Sequence, residues 1–169
     1  MDDTTTPLAR AKYPRTPLAG PYGHPFHPIL ITIPIGAWIA SLVFDIIAFT
    51  VDDPSAYVLG AQVLIAIGLI GALLAAVFGF IDYTGIAAGT VAKRTALIHM
   101  TLNLTLVVLY AVNYFVRAGS DHDAVNIVGF VLSIVGLAVL GVSGWLGGKL
   151  AYHFGVRVAK EETQAEGFR

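Results

Sequence analysis

Residues 56–81 read AYVLGAQVLIAIGLIGALLAAVFGFI, 26 positions with no charged side chain and Gln62 as the one amide. As a helix rising about 1.5 Å per residue the segment is about 39 Å long, more than the hydrocarbon core of about 30 Å requires. Three further runs share this character, 29–51, 95–116 and 124–148. The charged share of the chain is 12%, against about 25% in soluble domains. These readings predict an all-α integral membrane protein, a four-helix up-down-up-down bundle whose short connections make neighbouring helices antiparallel.

The basic residues orient it. Arg10, Lys12 and Arg15 precede the first run, Lys93 and Arg94 lie between the second and third, and Lys149, Arg157, Lys160 and Arg169 follow the fourth. Only Arg117 falls on the other side, with Asp52, Asp53, Asp121 and Asp123. Positive charge is retained on the cytoplasmic side, so both termini are expected there, in the plasma membrane of a prokaryotic cell. Residues 1–23, with Pro7, Pro14, Pro17 and Pro21, read as an extended, partly disordered cytoplasmic arm; 24–156 form the transmembrane domain. The charged tail, 157–169, is expected to continue the last helix for a turn or two before fraying.

Because lipid tails are as apolar as Leu, contacts between membrane helices depend on small residues and hydrogen bonds. The second run offers Gly68, Ala72, Ala76 and Phe80; the fourth offers Gly129, Ser133, Gly136, Ser143 and Gly147. Pro34 removes one helical hydrogen bond and predicts a kink in the first span. Spacing of 4,3,4,3 aligns His99, Asn103, Leu106, Tyr110 and Asn113 on the third helix, and His27, Ile31, Pro34, Trp38, Ser41, Asp45 and Ala48 on the first. Asp45, Gln62, Tyr110 and Asn113 are thus intramembrane polar candidates, as is Ser133. No basic residue is expected to face Asp45, which predicts a hydrogen-bonded or protonated carboxyl. These groups serve either as interhelical glue or as a proton or ion path from His99 toward Asp45.

The topology collects His24, His27, Asp82, His99 and His153 at the cytoplasmic face and leaves His122 opposite. Imidazole and carboxylate suit zinc, iron or copper, and imidazole is the common axial ligand of haem. His24, His27, His99 and Asp82 are the metal or haem candidates. On straight helices His27 and His99 differ by roughly 10 Å in depth, which a single haem does not span without help from the arm or kink. The alternative is structural, with the histidines capping helices and His99 bonding Asp82 or a free carbonyl. With no cysteine, the chain has no disulfide, thiolate ligand or cysteine nucleophile.

GHPFHPILITIPIG (23–36), GFIDYTGIAAGTVAKRTALIHMTLN (79–103) and GWLGGKLAYHFGV (144–156) resemble the bacterial family called domain of unknown function 2231. The resemblance implies a four-helix inner-membrane domain, with His24, His27, Asp82, Arg94 and His99 carried over and Asn103 in support. It also implies redox company, since members are sometimes joined to a Rieske-type iron–sulfur domain. Members tend to end in Tyr-Arg-His-Gly, whereas this chain reads Tyr152, His153, Phe154, Gly155; the histidine is turned by about 100° on a helix, which places His153 in doubt.

The leading reading is a membrane-embedded redox or metal/haem-binding module with a His/Asp site near the cytoplasmic face. The alternatives are a non-catalytic subunit or scaffold, and a small proton or metal-ion transporter. Expected partners are the bilayer and either a redox protein or further copies of the chain. A net charge of -1 and only ten Lys and Arg argue against nucleic acid. No phosphate loop, His-Glu-x-x-His helix or nucleophile elbow occurs, and enzymatic activity is left unassigned.

Overall fold

A computed structural model describes residues 6–169. Chain order runs through α1 (Pro7–Lys12), a 3-10 turn (Pro17–Ala19), α2 (Phe26–Leu30), α3 (Thr32–Ala48), α4 (Ser55–Gly85), α5 (Val91–Ala118), α6 (Ile127–Gly148), a π-helical turn (Lys149–His153), α7 (Glu161–Ala165) and a final 3-10 turn (Glu166–Phe168). Among the described residues, four helical stretches are long and apolar enough to cross a membrane: Phe26–Ala48, Ser55–Gly85, Val91–Ala118 and Ile127–His153. The first is interrupted where α2 gives way to α3 at Ile31. Pro34 causes this break, since it has no N–H to bond the carbonyl of Leu30 and its ring crowds that oxygen.

The helices stand around a square. α4 packs on α3 and α5, and α6 packs on α5 and α3. The diagonal helices α3 and α5 meet through side chains that fill the centre, where Trp38 stacks on Tyr110 with ring centroids 3.8 Å apart and planes 9° from parallel. Ile65 and Leu106 pack around this stack. The lipid-facing exterior is apolar, with Ile39, Ile46, Leu73, Val108 and Phe115 exposed, while Ser41, Asp45, Asn113, Arg117, Ser133 and Ser143 are fully buried.

Small residues permit this close approach, with one revision to the expected stripe on α4. Phe80 is exposed, and the buried face of α4 runs instead through Ala61, Ile65, Gly68 and Ala75. Strict four-residue spacing drifts by about 40° per step on a helix of 3.6 residues per turn, so it leaves the contact face within a few steps. On α6 the expected Gly129, Ser133, Gly136 and Ser143 are all buried.

The described part of the arm, 6–23, is folded rather than extended, and residues 1–5 lie outside the described residues. Thr6 caps α1 by accepting from the Ala9 N–H at 3.1 Å, Tyr13 stacks on Tyr22, and Arg15 donates to the Thr84 carbonyl at 2.6 Å. The tail leaves the helical path after the π turn through Gly155, at φ 68°, and Arg157, at φ 60°. The expected continuation of the last helix stops there, because left-handed backbone cannot extend a right-handed helix. The Arg157 N–H donates to Ala11 O at 2.9 Å, joining tail to arm at one end of the bundle.

Candidate functional site

α2 begins at Phe26, which places His27 in its first turn; α5 begins at Val91, which places His99 two turns inside. The two imidazoles meet across the bundle with centroids 6.4 Å apart and planes at 86°. The depth difference of roughly 10 Å expected from straight helices is therefore absent. Depth counted from each helix's own start misleads here, since α5 extends beyond the start of the hydrophobic run and the first span is interrupted at Ile31.

Each ring is held the same way. His27 Nδ1 donates to Ala75 O on α4 at 2.9 Å, and His99 Nδ1 donates to Ser143 O on α6 at 2.8 Å. A carbonyl can only accept, so Nδ1 carries the proton and Nε2 is left with its lone pair. Each ring lies against a glycine: a Cβ on Gly79 would stand 2.9 Å from His27, and one on Gly147 3.1 Å from His99. Asn103 donates to Ser143 Oγ and to His99 O, both at 2.8 Å, and its Nδ2 lies 3.2 Å from His99 Nε2.

The other candidates do not join this pair. His24 is exposed, with Nδ1 3.4 Å from Tyr22 O. Asp82 pairs with Arg157 Nε at 2.9 Å instead of with His99, and the Arg157 guanidinium also donates to Ala19 O and Gly20 O. Arg94 is exposed beside a surface groove with Tyr83 and Lys93. His153 is exposed against Phe154. Among the described residues no group of three or more His, Cys, Asp or Glu could hold a metal ion. The expected His/Asp cluster thus reduces to two histidines, because the tail delivers a guanidinium to Asp82.

Toward the opposite end, Asp45 is not left without a cation. Arg117 donates to both its oxygens, NH1 to Oδ1 at 2.7 Å and NH2 to Oδ2 at 2.6 Å, with both side chains buried. Asn113 Oδ1 accepts from Arg117 Nε at 2.9 Å, and Asn113 donates to Ser133 Oγ at 2.9 Å. Two expectations are overturned together: a basic residue does face Asp45, and Arg117 is no loop cation. α5 runs on to Ala118, so Arg117 stands one turn beyond Asn113 on the same inward face. Gln62 Oε1 accepts from His122 Nε2 at 2.8 Å, and the Tyr110 hydroxyl donates to Ser133 O at 3.4 Å.

The family described as "Predicted membrane protein (DUF2231)" matches residues 23–160. No curated protein and no solved structure matches the chain.

Proposed function

The chain belongs to the DUF2231 family of predicted membrane proteins, and on that premise we propose that it is a membrane-embedded module holding a metal centre between His27 and His99, with haem iron as the favoured centre. The observation that carries this reading is the His27–His99 geometry. With a metal–imidazole bond of about 2.0–2.1 Å and roughly 1.2 Å from ring centre to nitrogen, two imidazoles sharing one metal would have ring centres up to about 6.4–6.6 Å apart, and these rings stand 6.4 Å apart. Nδ1–H bonded to a carbonyl is the usual outer-shell arrangement of a ligating histidine.

Charge narrows the centre. Two neutral imidazoles with no carboxylate beside them do not compensate a bare divalent ion within a membrane, where unbalanced charge costs several kcal/mol (about 2.5 or more). Iron carried in a porphyrin dianion has little net charge, and His27 and His99 are the residues that would hold it. When bound, such a group supplies one-electron redox chemistry. The chain's residues would hold and orient it, Ala75 O and Ser143 O by accepting the ring Nδ1–H groups and Asn103 through its amide beside His99. The Trp38–Tyr110 stack fills the bundle centre about three helical turns from the pair, which favours binding over passage through the chain.

The site end is proposed to face the cytoplasm. With Arg117 neutralised inside the bundle, the other nine basic residues all belong to the arm, the first turn of α5, the π turn and the tail.

The test is purification of the full chain from cells supplied with haem precursor, followed by elemental analysis and a reduced-minus-oxidised spectrum. One iron per chain with a bis-imidazole spectrum, lost in His27→Ala and in His99→Ala, is expected. Absence of a Soret band together with no stoichiometric iron, copper or zinc would overturn the reading.

A further inference from the structure

The contacts along the bundle recur in two sets. Advancing α3 positions to α5 by the 72 residues that separate Asp45 from Arg117, and α4 positions to α6 by the interval from Gly68 to Gly136, maps one hairpin onto the other. His27 on Ala75 O becomes His99 on Ser143 O. Gly79 beneath His27 becomes Gly147 beneath His99, and Gly68 beneath Trp38 becomes Gly136 beneath Tyr110. The Trp38 indole N–H donates to Ile65 O at 3.4 Å, and the Tyr110 hydroxyl donates to Ser133 O at 3.4 Å. A single pair of shifts satisfies all of these. The two intervals differ by four residues, about one helical turn, so the change in connection length nearly preserves which faces meet.

From this we infer that the bundle is one αα-hairpin present twice, related by a pseudo-two-fold axis along the membrane normal, and that the His27–His99 site lies on that axis and is completed by one equivalent histidine from each half. The axis passes between three pairs of equivalent positions: His27 with His99, Trp38 with Tyr110, and Asp45 with Arg117. Parallel repeats about such an axis are one of the ways membrane folds are built. The histidine layer keeps the symmetry in residue type. The Asp45–Arg117 layer breaks it, with opposite charges at equivalent places. Gly129 is where the second half accommodates its larger side chain: a Cβ there would stand 2.8 Å from Arg117 Nε and 3.0 Å from Cγ. The equivalent position in the first half is Ala61, whose carbonyl accepts from Ser41 at 3.0 Å. Gly129 is thus the specificity-determining residue for which half carries the cation.

The ligand consequence rests on the proposed function: a centre on the axis presents two equivalent opposed positions and needs both halves. The duplication stands without it, and the experiment separates the two. In detergent-solubilised full-length protein, Asp45→Arg/Arg117→Asp moves the cation to the half that lacks the glycine, and Ala61→Gly supplies it. Expected is a low melting temperature for the double variant and recovery of at least half of the loss on adding Ala61→Gly, which alone in the natural chain gives no such gain. No recovery, or an equal gain from Ala61→Gly alone, overturns the duplication. In haem-loaded protein, His27→Ala and His99→Ala are expected to abolish the bis-imidazole spectrum to the same extent; a spectrum that survives one of them overturns the shared site. Failure of the natural chain to take up haem removes the proposed function, while the charge-exchange result still decides the repeat.

Discussion

Asp45→Asn isolates the interaction that organises the far end of the bundle. The substitution keeps size and shape but removes the charge that receives two hydrogen bonds from Arg117, at 2.7 and 2.6 Å. Hydrogen bonds to charged groups contribute about 1.5–3 kcal/mol each, and removing one partner of a buried ion pair costs about 3–5 kcal/mol. Arg117 keeps Asn113 and Ser133 as partners, and as the penultimate residue of α5 it can swing its guanidinium toward the interface. Both effects place the expected loss at the low end, about 3 kcal/mol, or about 10 °C in melting temperature for a chain of this size. Circular dichroism melts in a mild detergent measure it. Asp45→Leu combined with Arg117→Met is expected to lie within about 2 kcal/mol of the natural chain, because replacing both partners with apolar groups leaves no orphaned charge. A shift below about 2 °C for Asp45→Asn, under 1 kcal/mol on the same scale, would refute the reasoning that the pair is held dry.

Gly68→Ala drives a methyl group into the Trp38 indole and is expected to destabilise by about 1–3 kcal/mol; Gly36→Ala, with nothing within 4 Å of its Cβ, is expected to stabilise by about 0.5–1 kcal/mol, both read from the same melts. Arg157→Ala removes the contacts to Asp82, Ala19 O and Gly20 O, so trypsin is expected to cut at Arg10, Lys12 or Arg15 several-fold faster while the spans persist. In the α3–α4 connection, hydrogen bonds from the Ser55 hydroxyl and N–H hold the Asp53 carboxyl below its usual range. Ser55→Ala is expected to raise it in an NMR titration. A depressed folded value stabilises above the unfolded pKa and loses that contribution as pH falls through the folded one, so the variant's stability changes less through that acidic window.

Much of this architecture is legible in the sequence because lipid imposes simple demands. Length and hydropathy place the four spans, and 4,3,4,3 spacing selects the faces of α3 and α5 that turn inward, including His27, Trp38, Tyr110 and Asn113. The same spacing carried one step past Asn113 reaches Arg117. That step is hidden because the hydrophobic run ends at Val116, and a charge after a run reads as a loop. Asp82 failed as a metal candidate for a different reason. Its partner Arg157 arrives from a tail whose left-handed backbone at Gly155 and Arg157 leaves no periodic trace in the sequence. The interruption at Ile31 follows from Pro34, but that His27 meets His99 depends on how far α5 extends at its start, which composition alone does not fix.

The polar axis answers a problem particular to this setting. Apolar side chains lose little by facing lipid instead of one another, so hydrophobic burial alone distinguishes poorly between the native register and a helix slid or rotated by a turn. Directional contacts distinguish well. Sliding α5 by one turn against α3 moves Arg117 about 5.4 Å along the axis, far beyond the 2.6–2.7 Å it now holds to Asp45, and breaks the Trp38–Tyr110 stack in the same motion. The buried Asp45–Arg117 pair, placed at the end opposite the histidines, fixes both depth and rotation of the diagonal helices. The histidine pair inherits that alignment: with α3 and α5 locked at Asp45 and Arg117 and spaced by the aromatic stack, His27 and His99 are delivered opposite one another, each ring already tied through Nδ1 to the neighbouring helix.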